Sequence, residues 1–109
     1  MAQLINKAQT DDSIKVILIH GGKNFSAGID LTELMAYVGR PKEEWLQPAR
    51  DGILGKMTVC LKALNNSIKP IVTVVRGSCV GIAFTYQSLV DFCYCGPDAK
   101  FSTPFMKSY

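Results

Sequence analysis

Lys69-Pro70-Ile71-Val72-Thr73-Val74-Val75-Arg76-Gly77-Ser78-Cys79-Val80-Gly81 reads as a buried β-branched strand that runs into a glycine-bounded turn and then a helix start. A second stretch repeats the logic. Ile14 to His20 is a continuous aliphatic run, Gly21-Gly22-Lys23-Asn24 turns the chain, and Phe25-Ser26-Ala27-Gly28-Ile29-Asp30-Leu31 leads to another helix start. Aliphatic runs without polar alternation suit strands covered on both faces, as in a parallel sheet. A strand–turn–helix junction leaves backbone N–H groups without intrahelical partners. Together with the positive end of the helix dipole, those donors favour negative charge. Two such junctions facing each other could hold one oxyanion from two sides.

Outward from these stretches, the pattern alternates. Met1 to Thr10 reads as a helix with Leu4, Ile5 and Ala8 on one face, and Asp11-Asp12-Ser13 as its end. Asp30 and Glu33 have capping-box spacing, predicting a short helix over Leu31 to Val38. Glu43 to Ser67 reads as a longer helix, bent or restarted near Pro48, with Ile53, Leu54, Met57, Cys60, Leu61 and Leu64 on its apolar face. Ile71 to Val75 is the second strand, Gly81 to Val90 the next helix, Phe92 to Cys95 a short strand, and Ala99 to Thr103 another extended piece. The order implies one α/β unit with crossover connections and mainly parallel pairing.

The 109 residues are one domain or a piece of one. At 48% apolar the chain has material for a core, and at 19% charged it leaves room for a buried partner surface. The net charge of +3 is spread without a basic run, which argues against nucleic acid. No apolar run is long enough to span a bilayer. Cys60, Cys79, Cys93 and Cys95 form no C-x-x-C pair, and His20 is not spaced as their zinc partner, so no metal is expected. The four thiols read as small core residues in a reducing, intracellular compartment.

Two motif readings compete before the family is considered. Gly22-Lys23 fails as a phosphate loop, because Ile17 and Asn24 stand where that pattern needs Gly and Ser or Thr. Gly77-Ser78-Cys79-Val80-Gly81 has the form of an α/β-hydrolase nucleophile elbow with Cys79 as nucleophile, and His20-Gly21-Gly22 has the form of that family's oxyanion loop. The remaining triad members are not visible, since His20 is the only histidine. The plainer reading has Cys79 filling space beneath the turn. Asp30 reads as a helix cap, Asp91 as a local cap or pair, and Glu33, Glu43 and Glu44 as solvated helix positions.

Four segments in register resemble the crotonase superfamily, the enoyl-CoA hydratases and isomerases: 25 to 31, 69 to 81, Asp91, and Ala99-Lys100-Phe101-Ser102-Thr103-Pro104-Phe105. The resemblance implies a spiral of β-β-α turns that assembles into trimers, pairs of trimers or a larger complex. On that template the chain is a partial domain, incomplete at both ends, lacking the N-terminal hairpin and the C-terminal part. The resemblance also implies an acyl-CoA thioester as substrate, with no separate cofactor. The thioester oxygen would be held by the backbone N–H groups of Ile29 and Ile82. Ser26, Ala27, Asp30 and Leu31 would line the acyl-CoA entrance, and Phe105 would wall the acyl pocket. A glycine usual at the second donor position is replaced here by Ile82.

Hydratases of this superfamily use two glutamates, at the positions of Thr85 and Phe105, and neither is acidic here. The Thr103-Pro104-Phe105 ending instead resembles the Δ3-Δ2-enoyl-CoA isomerase branch. Its single proton-shuttling glutamate would lie past Tyr109. The implied function is a shift of a 3-enoyl-CoA double bond to the 2-position in fatty-acid β-oxidation, in a mitochondrial or peroxisomal matrix. The alternative from a different class is a non-catalytic crotonase-like subunit with a structural or binding role.

Overall fold

In the computed structural model, residues 1–28 and 39–103 are described. The helix expected over Leu31 to Val38, and the positions of Ile29, Asp30, Leu31 and Phe105, lie outside these residues. Helix α1 spans Ala2–Gln9, strand β1 Ile17–His20, and helix α2 Lys42–Ala49. A π-helical turn over Arg50–Leu54 leads into helix α3, Gly55–Asn66. Strand β2 is Ile71–Val75, β3 is Ser78–Val80, and helix α4 is Ile82–Thr85. A 3-10 turn over Tyr86–Leu89 precedes β4, Phe92–Cys95, and β5, Lys100–Ser102.

The strands form two parallel groups. The larger has the order β1-β2-β4, pairing Ile17 with Ile71 and Val72 with Phe92. The smaller pairs β3 with β5, Ser78 against Lys100 and Val80 against Ser102. Its other edge is Ser26, bridged in parallel to Cys79. Parallel neighbours require crossovers, and the long helical passage α2–α3 supplies the one between β1 and β2.

The strands expected at Ile71–Val75 and Phe92–Cys95 are observed, and the extended piece expected over Ala99 to Thr103 contains the strand Lys100–Ser102. Two details differ from the sequence reading. Residues 78–80 are a strand rather than a turn, because the Cys79 segment finds partners on both sides, Ser26 and Phe101. The long helical passage is interrupted close to Pro48, as expected, but Pro48 itself lies inside α2 and the irregular residue is Gly52, at φ −92° and ψ −108°. Pro48 sits in the second turn of a short helix, where little helix precedes it to be disrupted.

One core cluster joins Ile5 of α1, Ala63 and Leu64 of α3 and Ile71 of β2, with Ile17, Ile19, Tyr86 and Leu89 packed around it. A second joins Val75, Cys79 and Ala83, with Phe25, Tyr86 and Ala99 against it. Tyr86 belongs to both. Leu4, expected on the buried face of α1, is 73% exposed. Only Ile5 and Ala8 of that helix are buried against the α3 side.

Side chains and backbone pin the strand ends. The Asp91 carboxylate accepts the Ile71 N–H at 2.8 Å, and the Asp91 N–H donates to the Ile71 carbonyl at 2.9 Å. This reciprocal pair fixes the start of β4 against β2, the local role expected for Asp91. At the N-terminal end of β1 and β2 the Lys69 ammonium donates to the carbonyls of Asp11 and Ile14. A shallow cleft there is lined by Asp12, Ile14, Lys15, Ile68, Lys69 and Pro70. It lies at the wrong end of the strands for a parallel-sheet active site, which forms beyond their C-terminal ends.

Candidate functional site

The C-terminal ends of three parallel segments meet in the smaller group. Ser26 donates its N–H to the Ser78 carbonyl at 3.0 Å and accepts the Val80 N–H at 3.0 Å. On the other side the Gly81 N–H reaches the Ser102 carbonyl at 2.8 Å. Segment 25–28, β3 and β5 therefore arrive side by side at the start of α4.

Glycines make the approach possible. Gly28 has φ +98°, and a Cβ there would stand 3.1 Å from the Val80 carbonyl oxygen. Gly81 has φ +68° and turns the chain from β3 into α4. Both angles favour glycine. The Ser26 hydroxyl accepts the Gly28 N–H at 3.1 Å and so shapes the same loop. Ala27 is exposed beside it.

The backbone accounting at α4 is the central observation. Phe84 and Thr85 donate their N–H groups to the Gly81 carbonyl, at 3.0 and 3.2 Å. Ile82 is the first residue of the helix. Among the described residues its N–H has no hydrogen-bond acceptor. First-turn amides are left over in any helix, and here one is left at the mouth formed by three strand ends.

Thr85, where the superfamily's hydratases carry one glutamate, is exposed, and its hydroxyl donates to the Ile82 carbonyl at 3.0 Å. It supplies no base. Phe84 and Phe101 stack obliquely nearby, with ring centroids 5.2 Å apart. Among the described residues no cluster of His, Cys, Asp and Glu could hold a metal ion, and no helix is long and apolar enough to cross a membrane.

The hydrolase reading fails on Cys79. A nucleophile elbow presents its residue at the tip of a strained turn, whereas Cys79 is the central residue of β3 and is 0% exposed. Burial, then the Cys93 thiol, pushes its pKa up, opposed by a weak hydrogen bond from Gln87. A reactive cysteine needs the opposite shift. Labelling of the native protein with iodoacetamide should therefore modify exposed Cys93 and Cys95 and leave Cys79 unmodified until denaturant is added. Peptide mapping that finds Cys79 alkylated first would restore it as a nucleophile.

Tyr86, packed against Phe25 at a centroid distance of 6.2 Å, has its pKa pushed up to about 12, by burial first and then by Cys79 and Cys60. The folded state holds the phenol neutral more strongly than the unfolded chain does. Its contribution to stability is thus complete below the ordinary value of 10.0 and disappears as pH rises through about 12. The raised Cys79 acts in the same direction from its ordinary value of 9.0 upward. The urea midpoint should hold steady up to about pH 9 and fall above it, with Tyr86→Phe removing the upper part of the fall. A midpoint that stays level to pH 12 would show both groups already in water.

Residues 1–108 match the family model described as enoyl-CoA hydratase/isomerase. An enoyl-CoA hydratase of Alternaria alternata is 30% identical over 108 residues, covering 98% of this chain and 34% of that protein. Enoyl-CoA delta isomerase 2 of Rattus norvegicus is 31% identical over 105 residues, covering 93% of this chain and 25% of the relative. The crystal structure of an enoyl-CoA hydratase/isomerase from Pseudoalteromonas atlantica superposes with a TM-score of 0.73 at 27% identity, covering 96% of this chain and 37% of that one. The chain spans a quarter to two-fifths of the length of these proteins.

Proposed function

The chain belongs to the enoyl-CoA hydratase/isomerase family, and from that premise we propose that it binds an acyl-CoA thioester and shifts a 3-enoyl double bond to the 2-position. The Ile82 N–H and the N–H of Ile29 hold the thioester oxygen. The observation that carries this reading is the Ile82 amide, which has no acceptor among the described residues and stands at the start of α4, where segment 25–28, β3 and β5 meet.

The chemistry follows from charge. Removing a proton from C2, between the thioester and the double bond, sends its electron pair toward the thioester oxygen. The resulting dienolate is reprotonated at C4, which leaves the double bond conjugated with the carbonyl. Each preorganised donor aimed at that oxygen is worth on the order of 3 kcal/mol in the transition state. The proton itself must be carried by a side-chain base. Thr85 cannot serve, which disfavours a two-glutamate hydration and favours an isomerase with one distal glutamate. Ser26, Ala27, Asp30 and Leu31 line the acyl-CoA entrance in this reading, and Phe105 walls the acyl pocket. In this reading the protein works in a mitochondrial or peroxisomal matrix, as a trimer, a pair of trimers or part of a larger complex.

A second reading is a non-catalytic subunit that binds the thioester or a protein surface. One observation favours it: the Thr85 hydroxyl, at a position where hydratases act, is engaged by its own helix. One assay separates the two. The protein expressed from its intact gene is mixed with a 3-enoyl-CoA, and the ultraviolet absorbance of the conjugated 2-enoyl thioester is followed. Growth of that absorbance supports the isomerase. Binding without growth supports the subunit, and no binding overturns both.

A further inference from the structure

Thr73 is the one buried polar side chain among the described core residues, 0% exposed at the centre of β2. Its hydroxyl lies 2.6 Å from Gln87 Oε1. Gln87 Nε2 donates to the Ala83 carbonyl of α4 at 2.8 Å and reaches Cys79 Sγ of β3 at 3.9 Å. The Ala83 carbonyl can only accept, so the amide must present its NH2 there and its oxygen to Thr73. The Thr73 hydroxyl must then donate. The network has one consistent orientation, and it ties the middle of the large sheet to the centre of the small one through the body of α4.

We infer that Gln87, oriented by Thr73, is a positioning residue that holds α4 in register so that the Ile82 amide points at the thioester oxygen; this rests on the reading of the site given above. Helix α4 has only four residues, and its α-helical pairing gives way to a 3-10 turn at Tyr86. So short a helix has little rigidity of its own. Its start is fixed by Gly81, whose N–H is bonded to Ser102. Its end is gripped by the Gln87 side chain, which folds back onto the Ala83 carbonyl. A donor set a fraction of an ångström off line loses much of its effect on a developing oxyanion while substrate affinity, drawn from the rest of the ligand, changes little.

The test is vibrational. An acyl-CoA carrying a 13C-labelled thioester carbonyl is bound to the protein, and the carbonyl stretch is read by infrared difference spectroscopy. Donors aimed at the oxygen weaken the C=O bond and lower its frequency. Wild type should show a downshift. Gln87→Met and Thr73→Val should lose most of it, with affinity for the thioester unchanged within about threefold. Thr73→Ser, which keeps the hydroxyl, should retain it. In turnover of a 3-enoyl-CoA the two disrupting variants should lose about tenfold in kcat with little change in KM. Far-UV circular dichroism confirms folding, and Gln87→Met at its half-buried position serves if Thr73→Val does not fold. Folded variants that keep the full downshift overturn the positioning role and leave the oxyanion reading intact. A wild-type complex with no downshift overturns that reading and the positioning role with it.

Discussion

Ile82→Pro should lower kcat for 3-enoyl-CoA isomerisation by about 10²–10³-fold, the usual cost of one missing oxyanion donor. The substitution is chosen for what it removes. Proline has no backbone N–H, and the first helical position is the one place in a helix where it is tolerated. Ile82 is that position in α4, and its N–H makes no hydrogen bond among the described residues. The preceding residue is Gly81, which has no Cβ to clash with the proline ring. The fold loses no hydrogen bond among the described residues, and the reaction loses a donor. Ile82→Gly keeps the N–H and should keep the activity. Steady-state kinetics on both variants, with circular dichroism to confirm folding, checks the prediction. A folded Ile82→Pro protein with wild-type kcat would remove the Ile82 amide from the mechanism.

Gly77→Val should be the most damaging substitution for stability, costing on the order of 4 kcal/mol. Gly77 has φ +63°, a region where a β-branched residue is strained. A Cβ there would also overlap the Lys23 carbonyl and the Asn24 side chain. That asparagine accepts the Ser78 N–H at 2.9 Å, which starts β3 beside the 25–28 segment. The strain and the lost bond act together on the junction that sets β3 beside segment 25–28. For a domain of this size the thermal midpoint should fall by about 15 °C or more. Gly22→Ala is the matched control, because nothing lies within 4 Å of a Cβ at that position and its φ is not positive. It should shift the midpoint by no more than a few degrees. Equal midpoints for the two variants in calorimetry would show that the Gly77 contacts do not hold the fold.

Much of the fold was legible because buried parallel strands leave a strong local trace. Ile71-Val72-Thr73-Val74-Val75 is β-branched without interruption, and it is β2 as expected. Helix α1 was legible from its period, but its buried face was not. Leu4 and Ile5 both looked apolar, and only the position of α3 decided that Ile5 is covered and Leu4 is not. Strand β3 left no trace. Three residues, Ser78-Cys79-Val80, carry too little pattern to separate a strand from a turn, and pairing with Ser26 and Phe101 settles the matter. The same pairing removed Cys79 as a nucleophile by burying it.

At the site, glycine was the readable signal. Gly77 and Gly81 bounded the expected turn, and both have positive φ. The Gln87–Thr73 network was not readable. A threonine in a strand and a glutamine fourteen residues later look like two ordinary polar residues. Nothing local says that one hydroxyl is wholly buried and meets one amide.

The chain's own residues determined where the long buried strands and the helices lie, where glycine lets the backbone turn, and which family the motifs belong to. These are properties of neighbours in sequence: steric freedom at glycine, χ1 stiffness at β-branched residues and helical period. Tertiary structure decided which amide is left without a partner, which thiol is inert and which polar pair is buried. Hydrogen bonding and burial depend on what lies across the sheet, such as Cys79 against Ser26 or Thr73 against Gln87. No stretch of sequence contains both members of such a pair.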